Sequence, residues 1–246
     1  MRRLALGLMS GTSLDGIDAA LVETDGRTIA RLGAWATQPY APHLRERLRA
    51  VLGGRGDVAG AERALTEAHA DAVASLLAEA GVAPSDVAVI GFHGHTVLHQ
   101  PEQRRTWQVG DGALLARLTG RPVVNDFRSN DVAAGGQGAP LVPLYHAALA
   151  AELARPLAVL NLGGVANVTF IGADGSLLAF DTGPGNAPID DWLRCRHGQA
   201  MDAGGALART GRIDAARVAA ALAHAYFDRR PPKSLDRDDF TAAMAG

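Results

Sequence analysis

Twice along this chain an apolar run ends in a polar glycine turn and a second run follows. An Asp-Gly pair then reverses the chain, and a third run closes the series. The first copy reads as strands over 3–9, 17–23 and 28–36, with Gly11-Thr12-Ser13-Leu14-Asp15-Gly16 as its glycine turn and Asp25-Gly26 as its hairpin. The second copy runs AVLNLGG, ANVTFIG, Asp174-Gly175 and LLAFDTG, and opens its turn at Gly163. Recurrence at this spacing argues for a duplicated unit. Asp-Gly hairpins also occur in any antiparallel sheet, so the pattern alone leaves both readings open.

Helical segments are expected between and after the copies, which makes the fold class α/β. They cover about 41–53 and 60–80, the latter with Ala64, Leu65, Ala68, Ala72 and Leu76 at helical spacing. Others cover 111–119, with Asp111 near the start, 143–154, and 213–227. Residues 87–92 read as a buried strand ending at His93-Gly94-His95, and PVVND reads as a short strand. The polar, glycine-rich FRSNDVAAGGQGAP that follows marks a junction, giving domains over 1–133 and 134–246. After its three strands the second domain shows only one clear long helix, fewer elements than the first, and is expected to be incomplete.

Several classes are excluded or disfavoured. A net charge of −2 leaves no footprint for nucleic acid or an anionic membrane. No apolar run reaches the roughly 18 residues of a membrane span. Two arginines before a short apolar stretch imitate a signal peptide. The polar Gly11–Gly16 turn and the lack of a small-residue cleavage site favour a first strand instead. The single cysteine, Cys195, cannot form an internal disulfide and fits a reducing compartment, the cytoplasm. The single lysine, Lys233, lies in RRPPKSLD and not in a glycine loop, so any ATP handled here is held without a P-loop lysine. No G-x-S-x-G elbow and no G-x-G-x-x-G fingerprint is present.

The remaining motifs admit a chemical and an ordinary reading. In Gly11–Gly16, glycine allows a phosphate to approach the backbone, and the Thr12 and Ser13 hydroxyls and turn N–H groups can donate to it. The ordinary reading is a tight hairpin. Asp15 or Asp18 can face Mg²⁺ through water. Asn161-Leu162-Gly163-Gly164-Val165-Ala166-Asn167 is the matching turn of the second copy, and two such turns can clamp a phosphate chain. Asp181, read as following the buried strand LLAF and leading into Gly183, Gly185 and Asn186, is placed to act as a base. It can equally just open a turn. His93, His95 and His99 have no standard zinc spacing, and the preferred reading is that His93, His95 and Thr96 line a polar cleft. Cys195 between Arg194 and Arg196 has no partner base in view. Arg128 and Asp131 at the junction can hold sugar oxygens, or pin the loop as a pair.

Taken together, GLMSGTSLDGIDAAL, GFHGHTVLHQP, TWQVGDG, RPVVNDFRSNDVAAGGQGAPLVP, NLGGVANVTFI, AFDTGPGNAPIDDW and PPKS resemble the anhydro-N-acetylmuramic acid kinases, in family order from Gly7 to Ser234. The resemblance implies an actin-like ATPase fold of two RNase H-like domains with an ATP cleft between them. It implies ATP and Mg²⁺ as cofactors, a homodimer, and conversion of 1,6-anhydro-N-acetylmuramic acid to N-acetylmuramic acid 6-phosphate in peptidoglycan recycling. Asp181 matches the base. Gly11, Thr12, Ser13, Leu14, Asp15, Gly16, Ile17 and Asp18 match the first phosphate turn, and Asn161, Gly163, Gly164 and Asn167 the second, with Gly183, Gly185 and Asn186 beside it. Thr96 and Arg128 match sugar-contacting positions, and His93 and Asp131 lie next to them. His95 stands where the family usually has Gln, and Met201-Asp202-Ala203-Gly204 is looser than the family's run. The family also continues past PPKS into elements that hold the adenosine, and into a sugar-facing Glu. A truncated chain, either a kinase or a non-catalytic remnant that binds a muropeptide sugar, is therefore the expectation. An actin-like kinase for another amino sugar is the further alternative.

Overall fold

The computed structural model describes residues 1–11, 14–235 and 240. The chain forms two compact units, Met1–Gly138 and Ala139–Gly246.

In the first unit β1 (Arg3–Ser10), β2 (Gly16–Thr24) and β3 (Ile29–Pro39) form an antiparallel meander. Strict alternation in β2 buries Ile17, Ala19 and Leu21 on one face, the period that a half-buried strand requires. Two helices follow, α1 (Pro42–Ala50) and α2 (Val58–Ala80). The chain then returns as β4 (Val87–Gln100), parallel to β1, and continues through β5 (Arg105–Val109), α3 (Gly112–Thr119), β6 (Val123–Asn125) and the short α4 (Ser129–Ala133). The sheet order is β3-β2-β1-β4-β5, with β6 also paired to β4. The result is a mixed α/β sheet.

β4 corrects the sequence reading, which ended this strand at His93. The strand runs on because its two halves have different partners. Ile90–Phe92 pairs with β6, and His95–Gln100 pairs with β5, a strand the sequence reading did not assign. Gly94, at φ +71°, sits at the change of partner, where a Cβ would lie 2.4 Å from the Val109 carbonyl oxygen. It marks a close backbone approach and not a turn.

α2 buries Ala61, Leu65, Ala72, Val73, Leu76 and Leu77 against the sheet core of Leu6, Leu8, Ile90 and Phe92. Full burial of each large aliphatic side chain contributes about 1.5–3 kcal/mol. The helix is bounded by Asp57, whose carboxylate accepts from Gly60 N at 3.0 Å, and by left-handed Gly81. Asp57→Ala removes this cap while leaving the packed face untouched. It is expected to lower the urea midpoint by the equivalent of about 1 kcal/mol with an unchanged slope; no change in midpoint would show that the cap contributes nothing.

The second unit opens with α5 (Pro143–Leu149), then β7 (Leu157–Leu162), β8 (Val165–Ile171) and β9 (Leu177–Pro184), again an antiparallel meander. α6 (Ala187–His197) follows, with Pro188 in its first turn and left-handed Gly198 at its end, and α7 (Ala215–Leu222) is capped by Asp214. α6 was not anticipated from sequence, although its Pro and Gly bracket it in the usual way. α7 is shorter than the expected 213–227, and α5 ends at Leu149 rather than near 154. A small aromatic cluster of Tyr226, Leu235 and Phe240, packed on Phe227 and Val165, lies in this unit. Among the described residues no helix is long and apolar enough to cross a membrane.

Candidate active site

The polar residues singled out in the second unit come together around the β7–β8 turn and β9. Asn161 pairs with Asn167 across the turn, and Asn167 pairs with Asp181 on the other side. The turn tip is clamped from behind. Gly185 N donates to Gly164 O at 3.0 Å, Asn186 N to Gly163 O at 2.7 Å, and Asn186 Nδ2 to Leu162 O at 2.7 Å. The clamp depends on glycine at 185, where a Cβ would lie 2.2 Å from Gly163 O. By engaging these three carbonyl oxygens it removes acceptors that would repel a phosphate, the polarity an anion-binding bend needs. Gly183 lies in β9, opposite Ala166.

Asp181 lies inside β9 and not after it, and the strand leading to it is not buried as expected: Leu177 and Leu178 are exposed. Asp181 itself is 8% exposed. Its surroundings come from a segment some fifty residues later. Its backbone N donates to Lys233 O at 3.1 Å, Leu235 N donates to its Oδ2 at 2.9 Å, and the Tyr226 hydroxyl donates to its carbonyl at 2.5 Å. The lone lysine therefore has a structural place that its sequence context did not reveal. Lys233 is buried, its Nζ donates to Tyr226 O at 2.9 Å, and the ammonium lies 4.4 Å from the Tyr226 ring centre. Carbonyl and aromatic face replace the water it has lost. Tyr226, Lys233 and Leu235 were not among the candidate site residues. Of the three, only Lys233 falls in a motif singled out from sequence, PPKS, and that motif carried no hint of this role.

In the first unit the glycine turn leaves β1 after Ser10 and enters β2 at Gly16. Thr12 and Ser13 lie outside the described residues. Leu14 takes a left-handed φ of 58°, donates its N–H to Gly11 O, and buries its side chain, while Ile17 is buried in the core. Any ligand contact from Leu14 and Ile17 is thus through backbone, a restriction on the sequence expectation. Asp15 Oδ1 accepts from Gly16 N at 3.0 Å, and Asp18 Oδ1 accepts from Thr37 Oγ1 at 2.6 Å. Gly16 permits the tight passage beside β3, since a Cβ there would lie 2.4 Å from Gln38 O.

The four candidate sugar residues divide into two places. Arg128 Nε donates to His93 Nε2 at 2.9 Å, while His93 Nδ1 meets Gly94 O at 2.9 Å. These bonds fix a neutral imidazole with its proton on Nδ1. Burial, then the Arg128 charge, lowers its pKa to about 4. Arg128 NH1 also donates to Gly138 O at 2.6 Å, and Asp131 Oδ2 accepts from Gly138 N at 2.6 Å. The two residues at the junction therefore each bond to the backbone of the same glycine, Gly138. Thr96 sits apart, accepting from Gln108 Nε2 on β5 at 3.2 Å. His95 does not line a cleft. It is wholly buried, with Nδ1 2.9 Å from Ser10 Oγ. Cys195 is exposed on α6.

Comparison with known proteins places this chain in a family. The family model for anhydro-N-acetylmuramic acid kinase matches residues 3–244. The chain is 62% identical over 239 residues to the anhydro-N-acetylmuramic acid kinase of Paramagnetospirillum magneticum, covering 97% of this chain and 67% of that one. It is 61% identical to the Rhodospirillum rubrum protein of the same name, covering 96% of this chain and 64% of that one. The chain thus spans about two thirds of the length of these curated relatives. Among solved structures it shows a distant likeness to the ethanolamine utilization protein EutJ of Carboxydothermus hydrogenoformans, at 14% identity and a TM-score of 0.38 over 79% of this chain and 57% of that one. Sequence identity over nearly its whole length shows that the chain belongs to the anhydro-N-acetylmuramic acid kinase family.

Proposed function

We propose that this protein is an ATP-dependent kinase of cell-wall recycling that opens 1,6-anhydro-N-acetylmuramic acid with water and phosphorylates the released O6, giving N-acetylmuramic acid 6-phosphate. The observation that carries the reading is Asp181. It is a carboxylate held in β9 by the Leu235 and Lys233 backbone, one strand from a glycine turn whose carbonyls are already engaged. In this reading Asp181 takes a proton from water, whose oxygen attacks the anomeric carbon. The bond from that carbon to O6 breaks, O6 attacks the γ-phosphorus, and ADP leaves. The Gly11–Asp18 segment and the Asn161–Asn167 turn, with Gly183, Gly185 and Asn186, would meet the phosphates. Thr96, Arg128, His93 and Asp131 would serve the sugar, the last two by holding its neighbours in place. Among the described residues no three His, Cys, Asp or Glu side chains gather to hold a metal. Mg²⁺ fits here as an ion carried by the nucleotide, met through water by Asp15 or Asp18, where it would neutralise charge on the phosphates. A family of this chemistry and a single, exposed Cys195 are consistent with the cytoplasm.

The test is ADP release by the purified chain with ATP, Mg²⁺ and either the anhydro sugar or reducing N-acetylmuramic acid. ADP is expected only with the anhydro sugar, in equal amount to the 6-phosphate product. ATP binding without sugar-dependent release would overturn the catalytic reading in favour of a sugar-binding remnant. Equal release with the reducing sugar would overturn the substrate.

A further inference from the structure

Ser10, Tyr40 and His95 lie far apart in sequence and are 1%, 4% and 0% exposed. Ser10 Oγ is shared between the Tyr40 hydroxyl, with which it makes a short hydrogen bond, and His95 Nδ1 at 2.9 Å. Ser10 and His95 are also direct partners in the β1–β4 register, immediately after an irregularity in that pairing. Tyr40 makes a second bond, its backbone N donating to Asp15 O at 3.0 Å. Ser10 is the last residue before the glycine segment, and Asp15 is the last residue of the segment before β2. One residue, Tyr40, therefore holds both ends of this segment, and His95 anchors the beginning of it to the central strand.

An apolar choice at these positions would fill the same space without removing three polar groups from water. Burying hydroxyls and an imidazole is unfavourable unless they bond to one another, and His95 Nε2 has no partner among the described residues. What the arrangement supplies in return is geometry. It is also insensitive to pH near neutrality. Burial raises the Tyr40 hydroxyl to about 12, with the nearby Asp15 and Asp18 charges acting in the same direction and the Ser10 bond against it. Burial, then His93, lowers His95 to about 4.

We propose that Tyr40, Ser10 and His95 act as positioning residues that hold Ser10 and Asp15, the two ends of the glycine turn, in fixed relation for a nucleotide phosphate. The choice of ligand rests on the function proposed above, whereas the hold on Ser10 and Asp15 does not. Tyr40→Phe deletes one oxygen and keeps the ring and the backbone N–H, and Ser10→Ala deletes the shared oxygen. Two readouts separate the claims: hydrogen–deuterium exchange of peptides spanning residues 9–18 and of α2 as an internal control, and ATP titration. Exchange at 9–18 is expected to rise about tenfold in both variants, the scale of one lost hydrogen bond, with α2 unchanged. ATP affinity is expected to weaken by a similar factor, appearing in turnover as a raised KM with kcat retained. Unchanged exchange at 9–18 in a folded variant overturns the proposal, as does an equal rise throughout the unit. If Tyr40→Phe does not fold, Ser10→Ala, the smaller deletion, decides on the same criterion. Faster exchange in the variants of a protein that binds no ATP would leave the positioning role standing and remove the nucleotide reading.

Discussion

Acidification from pH 7 to pH 5 is expected to remove roughly 4–6 kcal/mol from the stability of the first unit, a large share of what a domain of this size possesses. Three histidines cause it. His69, His93 and His95 are all buried, and burial is the leading reason that each has a pKa near 4. The charge of Arg128 adds to the effect on His93, and His93 adds to that on His95. For His69 the Leu65 carbonyl, bonded to Nδ1 at 2.8 Å, works in the opposite direction. In the unfolded chain the same imidazoles bind a proton near pH 6.5.

The sign follows from proton counts. Between pH 6.5 and pH 4 the unfolded chain holds more protons than the folded one, so stability rises with pH across this window. It is fully present above 6.5 and drains away as pH falls toward 4. At pH 5 each group accounts for about 2 kcal/mol, less where neighbouring imidazoles share a penalty. Urea midpoints measured at pH 7, 6 and 5, followed through Trp35 and Trp107 of the first unit, should fall steadily. His69→Leu, which keeps an apolar side chain against Phe92, should remove about one proton from the slope. A midpoint constant from pH 7 to pH 5 would show that these imidazoles are protonated equally in both states.

The contrast between what was and was not legible in the sequence is physical. The β1–β2–β3 meander could be read because its signals are local: alternation in β2, Asp25-Gly26 at the reversal, and a glycine turn between apolar runs. The same holds for the start of α3 at Asp111. β4 was cut short because Gly94 looks like punctuation, while its role is to let two backbones approach. β5 went unassigned because RTWQV is short and has only Trp107 and Val109 as apolar residues, and it is a strand because β4 extends to pair with it. In the site, the Asn161–Asn167 turn and Gly185-Asn186 were legible as glycine chemistry. The Arg128–His93 bond and the shared hold on Gly138 were not, since periodicity carries no information about which polar partners meet across a fold. Lys233 is the clearest case. Its sequence context excludes a P-loop, yet nothing local indicates that its carbonyl secures the backbone of Asp181.

That long-range support makes Asp181→Asn the most discriminating substitution. An alanine would remove the carboxylate's charge and its hydrogen bond together, leaving the Leu235 N–H without an acceptor in a buried place. Asparagine retains an amide oxygen that can take the same bond, and its volume is nearly identical. The strand pairing with Asn167 and the backbone bond to Lys233 are indifferent to the change. The fold should therefore survive with a melting temperature within a few degrees of the parent, while the group able to accept a proton from water is gone. General-base catalysis typically supplies 10²–10⁴ in rate, so kcat for ADP release with the anhydro sugar is expected to fall roughly a thousandfold. ATP affinity should be retained within about threefold, because the turns proposed to meet the phosphates are built by other residues. The pair of readouts separates the roles of Asp181. Lost turnover with retained fold and nucleotide binding identifies a base. Lost turnover accompanied by a collapsed melting temperature identifies a structural strut for the 226–235 segment. Turnover above a tenth of the parent's removes Asp181 from the chemistry altogether.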